Sequence, residues 1–322
     1  MPDPSHPETP RRFDRLALLG VGLMGGCFAR DLRAIDGVDE IVGCSRTTET
    51  LSKARDLGVI DRGEPDPEKA VEGADLIVIS VPMGVAGELT LRILPRCPEG
   101  ALVTDMGSVK GAYVRAVEGR VPEGVGFIGG HPIAGTENSG VAASFNGLFR
   151  NARCVLTPTP NTAAWAVEAA KALWKALGAD VILMDPDRHD EVLGAVSHLP
   201  HVLACSAMNA LPEDFLEGFA GGGFRDFSRI ASSDPGMWRD ICLSNRQAIL
   251  EWISRYEETL REMKDLIDRR DGEGLREAFG RAKARRDGLI ALEKGATRSP
   301  SGTSRPDADD EARSTEGGRS GG

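Results

Sequence analysis

The chain has 322 residues, 41% of them apolar and only 5% aromatic, with a formal net charge of −10. That length suggests two domains of ordinary size, with aliphatic side chains doing most of the core packing. The acidic balance argues against nucleic acid as a partner, because phosphate contacts need clustered Lys and Arg, and it leaves any anionic substrate to be held by local cations. Residues 1–12 are polar and Pro-rich and are expected to be a disordered lead-in; they lack the apolar core of a signal peptide. No uninterrupted apolar run approaches the ~20 residues of a membrane span. The six cysteines are scattered, with no CxxC pair, and read as buried thiols of a reducing compartment, so the expected location is the cytoplasm.

A strand–helix alternation begins at Phe13. Leu16-Ala17-Leu18-Leu19 predicts a first strand that ends in glycines, with a helix from about Met24. Ile41–Cys44 predicts a second strand. Leu76–Val81 predicts a third, apolar on both faces as a buried parallel strand requires. Ala101–Asp105, Gly126–Gly129, Cys154–Leu156 and Val181–Met184 continue the series, and Ala163–Leu177 predicts an Ala-rich helix before the last. This alternation implies an α/β fold, a doubly wound parallel sheet of Rossmann type over residues 13–185. From Asp187 the pattern is helical throughout, and 186–295 is expected to form an all-helical substrate and dimerisation domain. Within it Ile249, Ile253, Tyr256, Leu260, Met263 and Ile267 recur at spacings of 4, 3, 4, 3 and 4, a heptad-like stripe on one long helix. Packing inside the chain would explain the stripe; a regular seam on a long helix favours a homodimer. Residues 296–322 are almost without apolar side chains and are expected to be a disordered tail, with no further folded regulatory domain after residue 296.

The segment Gly20-Val21-Gly22-Leu23-Met24-Gly25 lies between the first strand and the first helix, where a dinucleotide fingerprint belongs. Gly20 permits the tight turn, Gly22 lets a pyrophosphate approach the backbone, and Gly25 lets helix and strand pack closely. The N–H groups of the helix start then face the phosphates. The second strand ends in Ser45-Arg46-Thr47 instead of an acidic residue. A hydroxyl followed by a guanidinium suits a 2′-phosphate, so NADP is favoured over NAD, with use of both close behind and a plainly solvated arginine as the bland alternative.

Farther along, Gly130-His131-Pro132-Ile133-Ala134-Gly135-Thr136-Glu137 fixes a histidine between glycines and a proline, downstream of a nucleotide fold. Such a histidine is a candidate proton acceptor beside a hydride-transfer site. Four ordered segments, DMGSVK at 105–110, HPIAGTE at 131–137, SHLPH at 197–201 and GGGFRDFSRIASSDPGMWRDI at 221–241, resemble the prephenate and arogenate dehydrogenases of tyrosine biosynthesis. The resemblance runs from Leu16 to about Met263. It implies an NAD(P)-dependent oxidoreductase that oxidatively decarboxylates a cyclohexadienol, with prephenate the expected substrate and arogenate, or both, the alternative.

The resemblance also assigns roles. His131 matches the residue that takes the proton of the C4 hydroxyl, a task suited to a neutral imidazole at pH 7. Ser108 matches the serine that hydrogen-bonds that hydroxyl; a Ser in a turn before a helix is also a common N-cap. Arg229 matches a substrate-binding arginine able to clasp a carboxylate through two parallel bonds. Asp226 and Glu137 would hold Arg229 in a gating network, and Arg225 would share its face if the segment is helical. Ser197 and His201, four residues apart, would face the substrate side chain, with Thr136 and Trp238 as further pocket positions. His198 with His201 has a metal-like spacing, but no third ligand is evident and the reaction needs none, so no metal is expected. A hydroxyacid or pyrroline carboxylate type reductase, or a catalytically silent NADP-binding sensor, would keep the nucleotide domain but is not expected to carry all four segments.

Overall fold

The computed structural model describes residues 12–136, 138–215 and 219–296, with side chains described as far as residue 292. Glu137 and the rest of the expected lead-in and tail lie outside the described residues. Eight strands are present among those described: β1 (Phe13–Leu19), β2 (Val38–Cys44), β3 (Arg62–Gly63), β4 (Leu76–Ile79), β5 (Leu102–Asp105), β6 (Gly126–Ile133), β7 (Arg153–Thr157) and β8 (Asp180–Leu183). They form one sheet in the order β3-β2-β1-β4-β5-β6-β7-β8.

Strand alternation divides the core. Leu16 and Leu18 of β1 face a cluster with Phe28, Leu51 and Trp174, from helices Leu23–Ala34, Thr48–Asp56 and Ala164–Ala176. Ala17 and Leu19 face the opposite cluster, with Ala86 from helix Met83–Ile93 and Tyr113 from helix Gly111–Glu118. Because successive side chains leave a strand on opposite faces, a run apolar at every position is buried on both. β1 is flanked by β2 and β4, so the chain reverses its winding there. A crevice opens at such a reversal, beyond the carboxyl ends of the strands.

The sheet departs from a wholly parallel one at a single seam. β7 pairs antiparallel with β6, with His131 opposite Val155, and β8 is parallel to β7. Among the described residues between β6 and β7, only the short 3-10 turn Val141–Ala143 is regular structure. A parallel partner needs a crossover element long enough to carry the chain back, and none is present among those residues. β6 is also longer than the predicted Gly126–Gly129, so His131 sits within the strand itself.

After β8 the described residues contain no strand. Helix Pro186–Leu193 runs through a π-helical turn, Gly194–His198, into helix Leu199–Ala210. Pro200 lacks the N–H that would bond back to the carbonyl of residue 196, and the widened turn accommodates that loss. Helices Gly222–Ser228, Pro235–Ser244, Arg246–Asp268 and Gly272–Ala296 follow. The last described strand ends at Leu183 and helices follow from Pro186, while compactness divides the chain into one unit up to Arg255 and a second from Tyr256. In the first unit Ile249 is buried, 4% exposed. In the second, Tyr256, Leu260 and Ile267 of the predicted stripe are 40%, 56% and 62% exposed. No described helix is long and apolar enough to cross a membrane.

Candidate active site

The nucleotide end of the site is built by the turn after β1. Gly20 has φ +105, and a Cβ there would lie 2.1 Å from the Ser80 carbonyl oxygen, so only glycine fits. A Cβ on Gly25 would meet the Gly20 carbonyl oxygen at 2.3 Å, which is why helix Leu23–Ala34 can start so close to the strand. Gly22 has open space where its Cβ would be. It is also the N-cap of that helix and supplies no side-chain cap, so the first N–H groups are left for another acceptor. Open room beside uncapped helix N–H groups fits a pyrophosphate, with Leu23 and Met24 lining the same space. Ser45 and Arg46 line the adjoining cleft with Thr50 and Lys53. Neither Arg46 nor Lys53 has an ion-pair partner among the described residues; Arg92, on the same cleft, is engaged by Glu68 and Asp66.

Next to the glycine turn lies a cleft of about 500 Å³ lined by Gly22, Ser108, His131, Thr136, Ser197 and Trp238. His131 reaches it from β6 and is buried. Its Nδ1 lies 2.8 Å from Nε2 of His189, whose own Nδ1 lies 2.8 Å from Oδ1 of Asp190. The same Asp190 carboxylate accepts from the backbone N–H groups of Lys110 and Gly111, each at 2.8 Å. It thereby caps helix Gly111–Glu118 from another segment, and Ser108 is not that helix's N-cap. Ser108 stays free to line the cleft. Beneath it, Asp105 and Lys110 form an ion pair without exposed surface. Asp105 also accepts from the N–H groups of Gly107 (2.7 Å) and Gly130 (2.9 Å), which locks the loop carrying Ser108 to the strand carrying His131.

Burial, first, and then His189, Lys110 and His198 push the His131 imidazole well below the usual histidine range. Burial likewise lowers His189, against the opposing pull of Asp190. His131 is therefore neutral at pH 7 and able to take a proton.

The far wall is aromatic. His201 stacks on Trp238, and its Nδ1 donates to the Ser197 carbonyl oxygen at 3.0 Å. Helix Pro235–Ser244 is held over the cleft where Oδ2 of Asp240 accepts from the Gly84 N–H at 3.2 Å.

Comparison with known proteins decides the family. The family model described as the prephenate dehydrogenase nucleotide-binding domain matches residues 28–183, and the one described as the prephenate dehydrogenase dimerization domain matches residues 185–281. The chain belongs to the prephenate dehydrogenase family. A prephenate dehydrogenase of Bacillus subtilis is 37% identical over 88% of this chain and 78% of its own length. A cyclohexadienyl dehydrogenase of Zymomonas mobilis is 31% identical over 83% of this chain and 93% of its own. Among solved structures, the prephenate dehydrogenase of Aquifex aeolicus in complex with hydroxyphenyl propionate and NAD+ is 39% identical, covering 86% of this chain and 98% of that one at a TM-score of 0.80. The chain is thus an oxidoreductase with an NAD(P)-binding domain.

Within this member of the prephenate dehydrogenase family, the structure brings His131, Ser108, Ser197, Thr136 and Trp238 to one cleft. His201 joins them through its stack on Trp238. Arg229 begins a 3-10 turn, Arg229–Ser232, after helix Gly222–Ser228, and is exposed. It does not line the cleft. Asp226 is also exposed and forms no ion pair with Arg229. Arg225 donates to the Ala220 carbonyl oxygen instead. Glu137, the remaining member of the expected gating network, lies outside the described residues. Gly221, Gly222 and Gly223 do not line the cleft; Gly221 serves as the N-cap of the short helix. His198 and His201 go separate ways, His198 Nδ1 accepting from Asn245 Nδ2 at 3.0 Å.

Several members of the site escaped the sequence reading. His189 and Asp190 sit at the start of the helical region and look like ordinary polar helix residues. The one signal they carry is an adjacent His-Asp pair in the first helix after the last strand of the sheet. Asn245, which also donates to the Asp190 carbonyl oxygen at 2.8 Å, carries no sequence signal at all.

Proposed function

We propose that this chain catalyses the NAD(P)-dependent oxidative decarboxylation of prephenate to 4-hydroxyphenylpyruvate. The observation that carries the reading is His131: a buried, neutral imidazole in the cleft that begins at the glycine turn and also holds Ser108 and Ser197. In this reading His131 takes the proton of the C4 hydroxyl and Ser108 hydrogen-bonds the same oxygen. Bound NAD(P) supplies the hydride acceptor. Ser197, His201, Thr136 and Trp238 hold the substrate side chain, and Arg229 receives a carboxylate, with Glu137 and Asp226 steadying it. Residues 13–185 bind the nucleotide and 186–295 close over the substrate and pair two subunits.

Two finer readings go with this one. Ser45 and the unpaired cations Arg46 and Lys53 favour NADP over NAD at the adenosine end, with both accepted. The exposed stripe Tyr256, Leu260 and Ile267, within the span matched by the dimerization model, supports a homodimer. The test of the central reading is a steady-state assay of the purified full chain with prephenate and arogenate, each with NAD and NADP, following cofactor reduction and carbon dioxide release. Cofactor reduction coupled to decarboxylation of prephenate is expected. Absence of turnover with all four pairs would refute it.

A further inference from the structure

The hydrogen-bond chain behind His131 has a fixed direction. It starts at the N-terminus of helix Gly111–Glu118, where the backbone N–H groups of Lys110 and Gly111 can only donate. Both donate to the Asp190 carboxylate, each at 2.8 Å. An ionised carboxylate only accepts, so His189 Nδ1, 2.8 Å from Oδ1, must carry a hydrogen. A neutral His189 then has a bare lone pair on Nε2. That atom lies 2.8 Å from His131 Nδ1, which must be the donor. The remaining nitrogen of His131, Nε2, is left with a lone pair and has no hydrogen-bond partner among the described residues.

We propose that His189 and Asp190 are positioning residues that keep the His131 proton on Nδ1, so that Nε2 is the atom that removes the substrate hydroxyl proton. This rests on the function proposed above. In the step itself the substrate O–H bond breaks and the Nε2–H bond forms. The electron pair left on oxygen becomes the second bond of the new carbonyl as hydride leaves carbon. The charge gained by His131 is met along the existing chain: its Nδ1–H points at the His189 lone pair, and His189 in turn points at the Asp190 carboxylate. A carboxylate two rings away stabilises the imidazolium without drawing the proton from the base beforehand.

The other groups around the pair do not compete for this role. Lys110 and Asp105, from the end of β5 and the loop after it, neutralise one another. His198, from the π-helical turn, is turned to Asn245, and burial holds it at about 4, so it stays uncharged at neutral pH. Cys154, beside His131 on β7, is a buried thiol raised far above its ordinary range by burial, so it stays protonated. The same logic orders the acid–base pair of serine proteases, where a carboxylate sets the tautomer of the base and the wrong tautomer costs about 10⁴ in turnover.

Nitrogen-15 NMR of the imidazoles in the full-length protein tests this directly. A hydrogen on Nδ1 and none on Nε2 is expected for both His131 and His189 at neutral pH. A hydrogen on His131 Nε2 would overturn the proposal. That spectrum stands whether or not prephenate proves to be the substrate, so a failure of the assigned reaction is distinguishable from a failure of the tautomer assignment. The kinetic counterpart is a pair of variants. His189→Leu keeps bulk and removes both nitrogens; turnover should fall by about 10²-fold with the Michaelis constant within about threefold of the parent. His189→Gln offers a carbonyl oxygen toward His131 and an N–H toward Asp190, and should recover about tenfold of that loss. A purely packing role for His189 predicts that Leu keeps turnover and Gln does no better, and that result would overturn the proposal too. Should either variant fail to fold, the parent's NMR spectrum decides.

Discussion

The imidazole of His201 lies face to face with the indole of Trp238, ring centroids 3.6 Å apart and planes 23° from parallel. The two come from separate helices, Leu199–Ala210 and Pro235–Ser244, and the stack joins them at the wall of the cleft. His201 is further held by its bond to the Ser197 carbonyl oxygen. The Trp238 Nε1 is buried and has no hydrogen-bond partner within the described protein.

Trp238→Leu should therefore weaken substrate binding more than chemistry. Loss of the stack is worth roughly 0.5–1.5 kcal/mol, so the Michaelis constant should rise about two- to tenfold with turnover nearly unchanged. Steady-state kinetics measures both. A fall in turnover with an unchanged Michaelis constant would place Trp238 with the reacting atoms instead.

Lys110→Met should destabilise the fold sharply. It leaves the Asp105 carboxylate buried with only the N–H groups of Gly107 and Gly130, and breaking a buried pair by removing one partner costs about 3–5 kcal/mol. Urea unfolding of parent and variant gives the difference. A change below about 1 kcal/mol would show that water or another cation reaches Asp105.

The lowered histidines set the pH response. Because His131 is held well below 6.5, chiefly by burial, it stays a competent base on mild acidification, and the acid limb of kcat/KM should lie below pH 6.5. An acid limb centred at or above that value would contradict the burial of the base. Stability should move in the same sense. The His198 imidazole, held at about 4 by burial, takes a proton more readily when unfolded. Its contribution is complete above pH 6.5 and is lost as pH falls toward about 4, a change on the order of 3 kcal/mol. Denaturant midpoints recorded across that window check the sign.

The cofactor end offers a reversal experiment. Parent enzyme should show higher kcat/KM with NADP than with NAD, and Arg46→Ala combined with Ser45→Asp should invert the order. The double change removes an attraction and adds a repelling carboxylate. Because Arg46 is exposed, the NADP advantage should shrink as salt is raised. A parent with a clear NAD preference would refute this reading of the loop while leaving the reaction intact.

For assembly, light scattering of the parent should give a dimer at concentrations used for assay. Replacing both Leu260 and Ile267 by Asp puts charge on the exposed stripe and should give monomer, because burying unpaired charge at an apolar seam is costly. An active monomeric parent would remove the stripe from consideration as an interface.

Much of the molecule is legible along the chain because its signals are local. Strand β4 and the Leu16–Leu19 end of β1 announce themselves as continuous apolar runs, since burial on both faces leaves little room for polar alternation. The glycine turn is legible because the geometry at Gly20 and Gly25 excludes any side chain. His131 and Ser108 stand in segments whose resemblance to a known family is specific. The reversed direction of β7 was not legible, because it depends on the lack of a crossover helix among the described residues between 134 and 152, and not on the strand's own residues.

What only the tertiary structure decided is how distant polar groups meet. His131 and His189 are 58 positions apart, and Asp190 caps a helix that begins 79 residues before it. A buried histidine, an N-cap carboxylate and a surface polar residue look alike in a sequence, because hydrogen-bond partnership is a property of positions in space. The sequence by itself determined the family, the doubly wound sheet and the nucleotide turn, and it marked His131 as the candidate base. The packing of the helical segment against the sheet decided which nitrogen of that histidine meets His189, because only there do the directions of donors and acceptors become fixed.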